Sequence, residues 1–313
     1  DQARGLGIRV QTVTEALRYV PGVKVETYGL DPKGYDWLFI RGFNGQSTSD
    51  YLNGLRQQTN DYAMFRSEPY ALERVDVLRG PASTLFGQVD AGGVINRVSK
   101  RPTANQINEV QLTAGSHDRR QGQFDVGDAL DEQNQFLYRV VGLYREANTQ
   151  VEYDDGHELE DDRQYIAPSF TWAPNENTSL TLLTDFLRDR NGGSLFVYTK
   201  PNGHTTNTLL GDHSFNRFDQ DQYSLGYEFR HRFNDIGFRQ HADFRSIDSH
   251  VAKHRIQLRR HEVRLNAVYR LHAAGILRHQ RGDHRAAVSA ECGECFEVGL
   301  DPGAAAGIGA GDG

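Results

Sequence analysis

Cysteine is almost absent from this chain. Cys292 and Cys295 are the only two, and they form a single C-x-x-C. One such pair builds no disulfide framework. Without a second pair or a thioredoxin-like context it is also a weak sign of zinc or redox chemistry. Long apolar runs are missing as well: no stretch of about 18 apolar residues occurs, which excludes a transmembrane helix. A membrane is not thereby excluded, because a transmembrane β-strand alternates lipid-facing with lumen-facing residues and averages to a polar segment. The mean hydropathy of −0.65 fits either case. Basic excess is lacking too. Forty-two acidic residues against 35 Lys and Arg give a net charge of −7, which argues against a nucleic-acid partner. The sequence starts at Asp1 without Met, basic n-region or apolar h-region. A secretion signal is therefore expected to have been removed or to lie outside these residues.

What is abundant is Gly (32), Tyr (14) and Phe (16), which suits turns, strands and interfacial aromatic belts. The chain divides into residues 1–103, compact and mixed α/β; residues 104–249, a run of alternating strands; and residues 250–313, atypical in composition. In the first part Thr12 and Glu15 have the spacing of a capping box before Ala16, Leu17 and Val20, and Pro21-Gly22 stops that helix. Strands are expected at Val23–Glu26, Trp37–Ile40, Val75–Leu78 and Val94–Val98. Asn53-Gly54 between Tyr51-Leu52 and Leu55-Arg56 is a strong hairpin signal. Short helices are expected near Pro69–Glu73 and through Leu85.

From residue 107 the period is two. Val110, Leu112 and Ala114 alternate with Glu109, Gln111 and Thr113; Tyr223, Leu225, Tyr227 and Phe229 alternate with Gln222, Ser224, Glu228 and Arg230. About seven such strands are expected, each near or above the length that crosses a bilayer. Links at 131–134, 173–177 and 234–235 are short, and links at 148–162 and 191–221 are long, the outer-membrane barrel pattern. The link at 116–119 is short where that scheme wants a loop. A soluble antiparallel barrel or sandwich alternates as well, so periodicity alone leaves both open.

The segment Leu72-Glu73-Arg74-Val75-Asp76-Val77-Leu78-Arg79-Gly80-Pro81-Ala82-Ser83-Thr84-Leu85-Phe86-Gly87 resembles the plug domain of TonB-dependent receptors. So do Ile40-Arg41-Gly42-Phe43, Tyr51-Leu52-Asn53-Gly54, Glu68-Pro69-Tyr70, and Ala91-Gly92-Gly93-Val94-Ile95-Asn96 followed by Ser99-Lys100-Arg101-Pro102. The motifs stand in family order, and the resemblance, nearest to the hydroxamate or ferrichrome-type siderophore receptors, covers roughly residues 10–250. It implies an α+β plug domain followed by the strands of an antiparallel transmembrane β-barrel, here incomplete, with an irregular tail. It further implies uptake of a ferric siderophore across the outer membrane of a Gram-negative bacterium, energised through TonB and its inner-membrane complex. Outer-membrane lipid surrounds such a barrel, no cofactor is covalently bound, and no catalysis is involved. Siderophore contacts at the plug apices are expected from Arg41, Gln58 and Tyr70, with Tyr62 and Phe65 as aromatic wall. Arg74, Arg79, Arg97 and Arg101 are expected to pair with inward-facing barrel acids, surface exposure being the plainer alternative. No segment before Gly5 resembles the part that TonB grips.

Other groupings carry less. Seven acids between Glu152 and Asp162 could suggest calcium or a glycosidase pair, but EF-hand spacing is absent and a solvated loop accounts for them. Gly92-Gly93 is no phosphate loop, since no Lys-Ser/Thr follows in place. No metal ligand set is assigned. Six of the twelve histidines lie at His250, His254, His261, His272, His279 and His284, and the end is rich in Gly and Ala. A shifted reading frame after about residue 250 is the expectation there; a His-rich metal-binding tail is the alternative. About seven strands cannot close a barrel that needs about 22, so this stretch alone is expected to be a non-transporting or weakly ligand-binding fragment. A secreted β-rich carbohydrate-active enzyme is the rival from another class.

Overall fold

The computed structural model describes residues 12–25, 38–45, 49–57, 65–80, 86, 89, 91–192 and 197–233 in full, and the backbone alone of 236–251, 256–266 and 272–273. Trp37, Gln58, Tyr62, the helix expected through Leu85, His254, His279, His284, the cysteine pair and the Gly/Ala end lie outside the described residues.

The N-terminal part is a small mixed domain. Helix α1 (Val13–Leu17) starts at Thr12, whose hydroxyl accepts a hydrogen bond from the Glu15 N–H at 3.1 Å, satisfying one of the orphan donors of the first turn. Its buried side, Val13 and Leu17, packs on Leu38, Ile40 and Ile95, with Val20 against the cluster. Three strands, β1 (Val23–Val25), β2 (Leu38–Ile40) and β3 (Phe43–Asn44), pair antiparallel. A second sheet has the order β5-β4-β7-β6. It consists of β4 (Asp50–Leu52), β5 (Leu55–Arg56), β6 (Leu72–Arg79) and β7 (Gly93–Ser99), with β4 parallel to β7. Asn53 (φ 54°) and Gly54 (φ 83°) turn the β4–β5 hairpin, both in the left-handed region that a type I′ turn demands. The expected helix at Pro69 is one 3-10 turn, Pro69–Ala71, capped by the Glu68 carboxylate, which accepts from Tyr70 N–H at 3.2 Å. Strand β6 takes over from Leu72 because Leu72 has extended backbone.

From residue 107 one antiparallel sheet dominates. Its long strands are β8 (Ile107–Ala114), β9 (Arg120–Ala129), β10 (Phe136–Glu146), β12 (Glu158–Asn175), β13 (Thr178–Gly192), β16 (Arg217–Phe233), β17 (Ile236–Val251) and β18 (Ile256–Asn266). They pair in that sequence. Among the described residues β8 and β18 are its two edges. This is eight long strands where about seven are legible, because β18 is paired although its sequence lacks clean alternation; the two residues of β19 (His272–Ala273) add a short pairing to β17. The two long links are also more ordered than loops. Strand β11 (Asn148–Glu152) and the start of β12 make a hairpin, and β14 (Val197–Thr199) and β15 (Thr205–Leu209) make another. The two hairpins join through a parallel contact of β15 on β11, over a small core of Val151, Tyr153, Leu159 and Leu209.

The faces of the large sheet are reversed relative to a water-soluble protein. Leu112 is 80% exposed and Leu225 54%, whereas Gln222 and Asp189 are 1% and 0% exposed. An open apolar face and a buried, charged one fit a sheet with lipid outside and protein within. At the short-turn end, the Asp131 carboxylate accepts from the backbone N–H of Gln135 (3.0 Å) and Phe136 (2.7 Å). Partial desolvation pushes its pKa up, but these backbone donors outweigh that and hold it below the usual carboxylate value. A depressed folded-state pKa contributes stability that is present above the unfolded value and lost as pH falls through the folded one. Asp131→Asn is therefore expected to lower the thermal midpoint at pH 7, and the gap to the parent chain is expected to narrow as pH falls below about 4. Midpoints followed by circular dichroism over pH 3–7 check this.

Candidate functional site at the plug and barrel interface

The buried face of the sheet carries charges in register. Pairing of β12 with β13 sets Arg163 opposite Asp189, and pairing of β10 with β12 sets Arg145 opposite Arg163. Two neighbouring guanidinium groups repel, so this wall needs acids beside them. Arg145 Nη2 donates to Asp161 at 2.8 Å; Arg163 donates to Asp189 from Nε (2.6 Å) and Nη2 (3.1 Å).

The N-terminal domain completes the set. Its segment 65–68 lies against the wall near the long-loop end, at Arg163, Asp189 and Gln222. Arg66 Nη1 donates to Asp189, and Arg163 Nη1 donates to Glu68 at 2.8 Å. Gln222 on β16 accepts from the Arg66 backbone N–H (2.9 Å) and donates to the Arg66 carbonyl (3.0 Å), as a strand neighbour would. Arg66, Glu68, Arg163 and Asp189 are all buried. Each domain thus offers one acid and one arginine to the other, an arrangement in which no charge is left uncompensated.

A second set holds the exit from the domain. Lys100 Nζ donates to Asp125 on β9 at 2.7 Å, and Arg139 on β10 grips the same carboxylate with two bonds of 2.8 Å. Arg139 also donates to the Arg101 carbonyl (3.0 Å), and Arg101 Nη1 meets Glu228 on β16 at 2.5 Å. Between the two sets the cleft is lined by polar groups of both domains, among them Asn53, Ser99, Tyr165, Ser169 and Ser224.

Of the four arginines expected to face the barrel, Arg101 meets a barrel acid. The other three have partners within the N-terminal domain. Arg97 lies on β7 beside β4, and its guanidinium reaches Asp50 at 2.5 Å and Ser67 at 2.9 Å. Arg74 and Asp76 share one face of β6, two residues apart, and pair at 3.0 Å in the open. Arg79 ends β6 next to the turn after α1 and donates to the Pro21 carbonyl at 3.4 Å. Glu68 and Lys100 read in the sequence as parts of the Glu68-Pro69-Tyr70 and Ser99-Lys100-Arg101-Pro102 motifs, and Arg66 stands outside any motif. The usable signal was a charged pair two residues apart in a segment with neither helix nor strand pattern.

The expected ligand residues that are described fall in separate neighbourhoods. Arg41 (φ 52°) sits exposed on the β2–β3 turn, donating its N–H to the Gly22 carbonyl at 2.8 Å. Its side chain lies along Gly22 and Gly80. Phe65 is buried at the start of the locking segment. Tyr70 donates its hydroxyl to Glu109 on β8 at 3.3 Å, with Lys100 Nζ 4.1 Å above its ring. Burial, and then the negative charge of Glu109, push the Tyr70 hydroxyl pKa up. Tyr70 therefore faces the barrel wall.

Residues 6–94 match the family described as TonB-dependent Receptor Plug Domain. This chain carries the plug of a TonB-dependent receptor. The chain is 40% identical over 235 residues to the ferrichrome outer membrane transporter/phage receptor of Escherichia coli K12, an alignment covering 72% of this chain and 31% of that protein. It is 36% identical over 248 residues to the ferrioxamine receptor of Yersinia enterocolitica, covering 75% and 33%. The solved siderophore receptor PiuA of Acinetobacter baumannii superposes with a TM-score of 0.64 at 26% identity, over 77% of this chain and 35% of that one. The chain thus spans about a third of the length of the curated relatives it matches. These relatives are outer-membrane receptors and transporters rather than enzymes, so the glycosidase reading of the acids at 152–162 falls. Glu152, Asp154, Asp155, Glu158 and Glu160 lie on the β11–β12 hairpin, and Asp161 is buried beside Arg145.

Proposed function

We propose that the chain serves the uptake of a ferric hydroxamate siderophore across the outer membrane of a Gram-negative bacterium, gated by its plug and driven through TonB. The observation that carries this reading is the reciprocal lock of Arg66 and Glu68 on Asp189 and Arg163. An apolar interface that is pulled apart exposes greasy surface at every step. A lock made of ion pairs beside a polar cleft can exchange each bond for water as it slips, so it holds at rest and yields to directed force. Relatives named for ferrichrome and ferrioxamine support the hydroxamate class.

The ligand is captured at the long-loop end. Phe65 enters the lock from that end, and Gln58 and Tyr62 stand just before it in sequence. These three supply an aromatic wall and an amide, and Arg41, exposed in a separate neighbourhood on the β2–β3 turn, supplies a guanidinium for hydroxamate oxygens apart from that wall. Tyr70 is assigned to the barrel wall, where Glu109 already accepts a hydrogen bond from its hydroxyl. A polypeptide of these 313 residues alone presents two sheet edges, β8 and β18, among its described residues. Hydrocarbon does not tolerate open edges, so passage of a ligand requires that both be paired, whereas capture does not.

Ferrichrome and ferrioxamine B titrated into the chain in detergent micelles, followed by intrinsic fluorescence, test this. Saturable binding is expected, weakened about tenfold by Tyr62→Ala or Phe65→Ala, the loss of about 1.4 kcal/mol of ring contact. Unchanged affinity in those variants overturns the site; absence of saturable binding by either compound overturns the hydroxamate reading.

A further inference from the structure

The two outer hairpins bring together three side chains that the lock does not use. Asp155 and His157 sit on the turn between β11 and β12. His213 sits on the segment that leads from β15 into β16. Asp155 Oδ1 lies 3.1 Å from His157 Nδ1, and Asp155 Oδ2 lies 2.8 Å from His213 Nδ1. The two imidazole rings stack at 4.0 Å, 7° from parallel. The three groups offer one ligand atom each within 4.8 Å of one another.

Both supporting segments are fixed by bonds of their own. On the first turn the His157 N–H donates to Asp155, and the Tyr153 N–H donates to the His157 carbonyl at 2.8 Å. On the second, Asp212 accepts from Ser214 N–H and Oγ, at 2.8 and 2.7 Å. Asn216 Nδ2 donates to the Tyr153 hydroxyl at 2.7 Å and so joins the two segments directly beside the cluster. The edge of the Tyr153 ring faces His213 at 6.0 Å. The cluster therefore stands on a preorganised platform, above the small core of Val151, Leu159 and Leu209.

We propose that Asp155, His157 and His213 form a binding site for a late first-row divalent cation, Zn²⁺ in the first place, at the outer rim of the receptor. Two imidazoles and one carboxylate are a borderline-soft donor set, suited to zinc, copper or nickel rather than calcium. Ligands at about 2.0–2.1 Å from a tetrahedral zinc stand about 3.3 Å apart. The two nitrogen–oxygen contacts here, 3.1 and 2.8 Å, run to different oxygens of Asp155, so the carboxylate turns to present one oxygen while the three groups, already within 4.8 Å of one another, shift to admit the ion. An imidazole that ligates through Nδ1 carries its proton on Nε2, and each ring turns its Nδ1 lone pair to the metal. The rings tilt from parallel to do so, which their exposure allows. Three protein ligands leave a coordination position open to water or to a donor atom of a passing ligand. The bound ion ties the first hairpin to the segment before β16.

The test is a calorimetric titration of ZnCl₂ into the full chain in detergent micelles, in a Cys292→Ser, Cys295→Ser background that removes the thiols. The background chain is expected to bind one zinc equivalent more than its His157→Ala, His213→Ala derivative. Asp155→Asn is expected to weaken that one site at least about tenfold, and CaCl₂ to leave it empty. All three residues are exposed, so the variants are expected to keep the parent's thermal midpoint, and His157→Gln with His213→Gln provides a second pair of the same design. Equal zinc stoichiometry in the background chain and in both variants lacking His157 and His213 overturns the site.

Discussion

Replacing Asp189 by Ala is expected to cost about 3–5 kcal/mol of stability, the range for removing one partner of a buried ion pair. The reason lies in how many charges depend on this carboxylate. Arg163 donates to it twice, and Arg66 reaches it from the plug. With Asp189 gone, Glu68 is the one acid of the lock left to both guanidinium groups, and its recorded bond is to Arg163. Gln222 holds the Arg66 main chain, and its amide carries no charge to replace the lost carboxylate. The loss is expected to appear in the plug more than in the sheet. Strand β13 keeps its backbone ladder to β12 and β16, while the plug loses its hold at the loop end. Hydrogen exchange in the variant should rise at residues 65–71 before it rises in β12 or β13. Urea unfolding of the chain in detergent gives the magnitude; a loss below about 1 kcal/mol would mean that water in the cleft already screens these charges.

Gly93→Ala is expected to cost about 3 kcal/mol or more. Gly93 has φ 134°, outside what an L side chain adopts easily, and a Cβ there would stand 2.1 Å from the Leu78 carbonyl oxygen. A backbone that far from its preferred region costs about 1–3 kcal/mol, and the clash adds to it because the obstacle is main chain rather than a movable side-chain end. The pairing Arg79↔Gly93 closes the β6–β7 ladder, so relief means prising the edge strand β6 from β7. Gly54→Ala is the control. Gly54 also has positive φ (83°), but a Cβ there meets nothing within 4 Å, so only the conformational term remains, about 1 kcal/mol. Thermal midpoints of the two variants should therefore separate clearly, Gly93→Ala being the lower.

Much of this was written into the sequence at short range. Thr12 and Glu15 announce a capped helix, Asn53-Gly54 a tight hairpin, and the two-residue alternation around Leu112 and Leu225 a sheet with one apolar face. Each rests on local backbone preference or on side-chain period, which a sequence displays directly. The lock was not legible in the same way. Arg66 and Asp189 lie far apart in the chain, and nothing local to either names the other. Arg97 shows the converse: it has the right charge and the right domain, yet the parallel pairing of β4 with β7 places Asp50 beside it, and a contact inside the plug results. Asp155, His157 and His213 were hidden for a related reason. The acids from Glu152 to Asp162 read as a solvated loop, and only the contact of β15 with β11 brings His213 to them. Strand β18 was missed because pairing by backbone does not require alternation in the sequence.

The plug is held by charges that belong to two domains at once, and a double-mutant cycle on Glu68 and Arg163 tests that most directly. The parent chain, Glu68→Gln, Arg163→Met and the double variant are unfolded in urea, in one detergent and at one salt concentration. A coupling energy of about 1.5 kcal/mol or more is the predicted result, as measured for close, desolvated charge pairs. Additive losses, with coupling indistinguishable from zero, would contradict the lock and leave the plug resting in the barrel by shape alone.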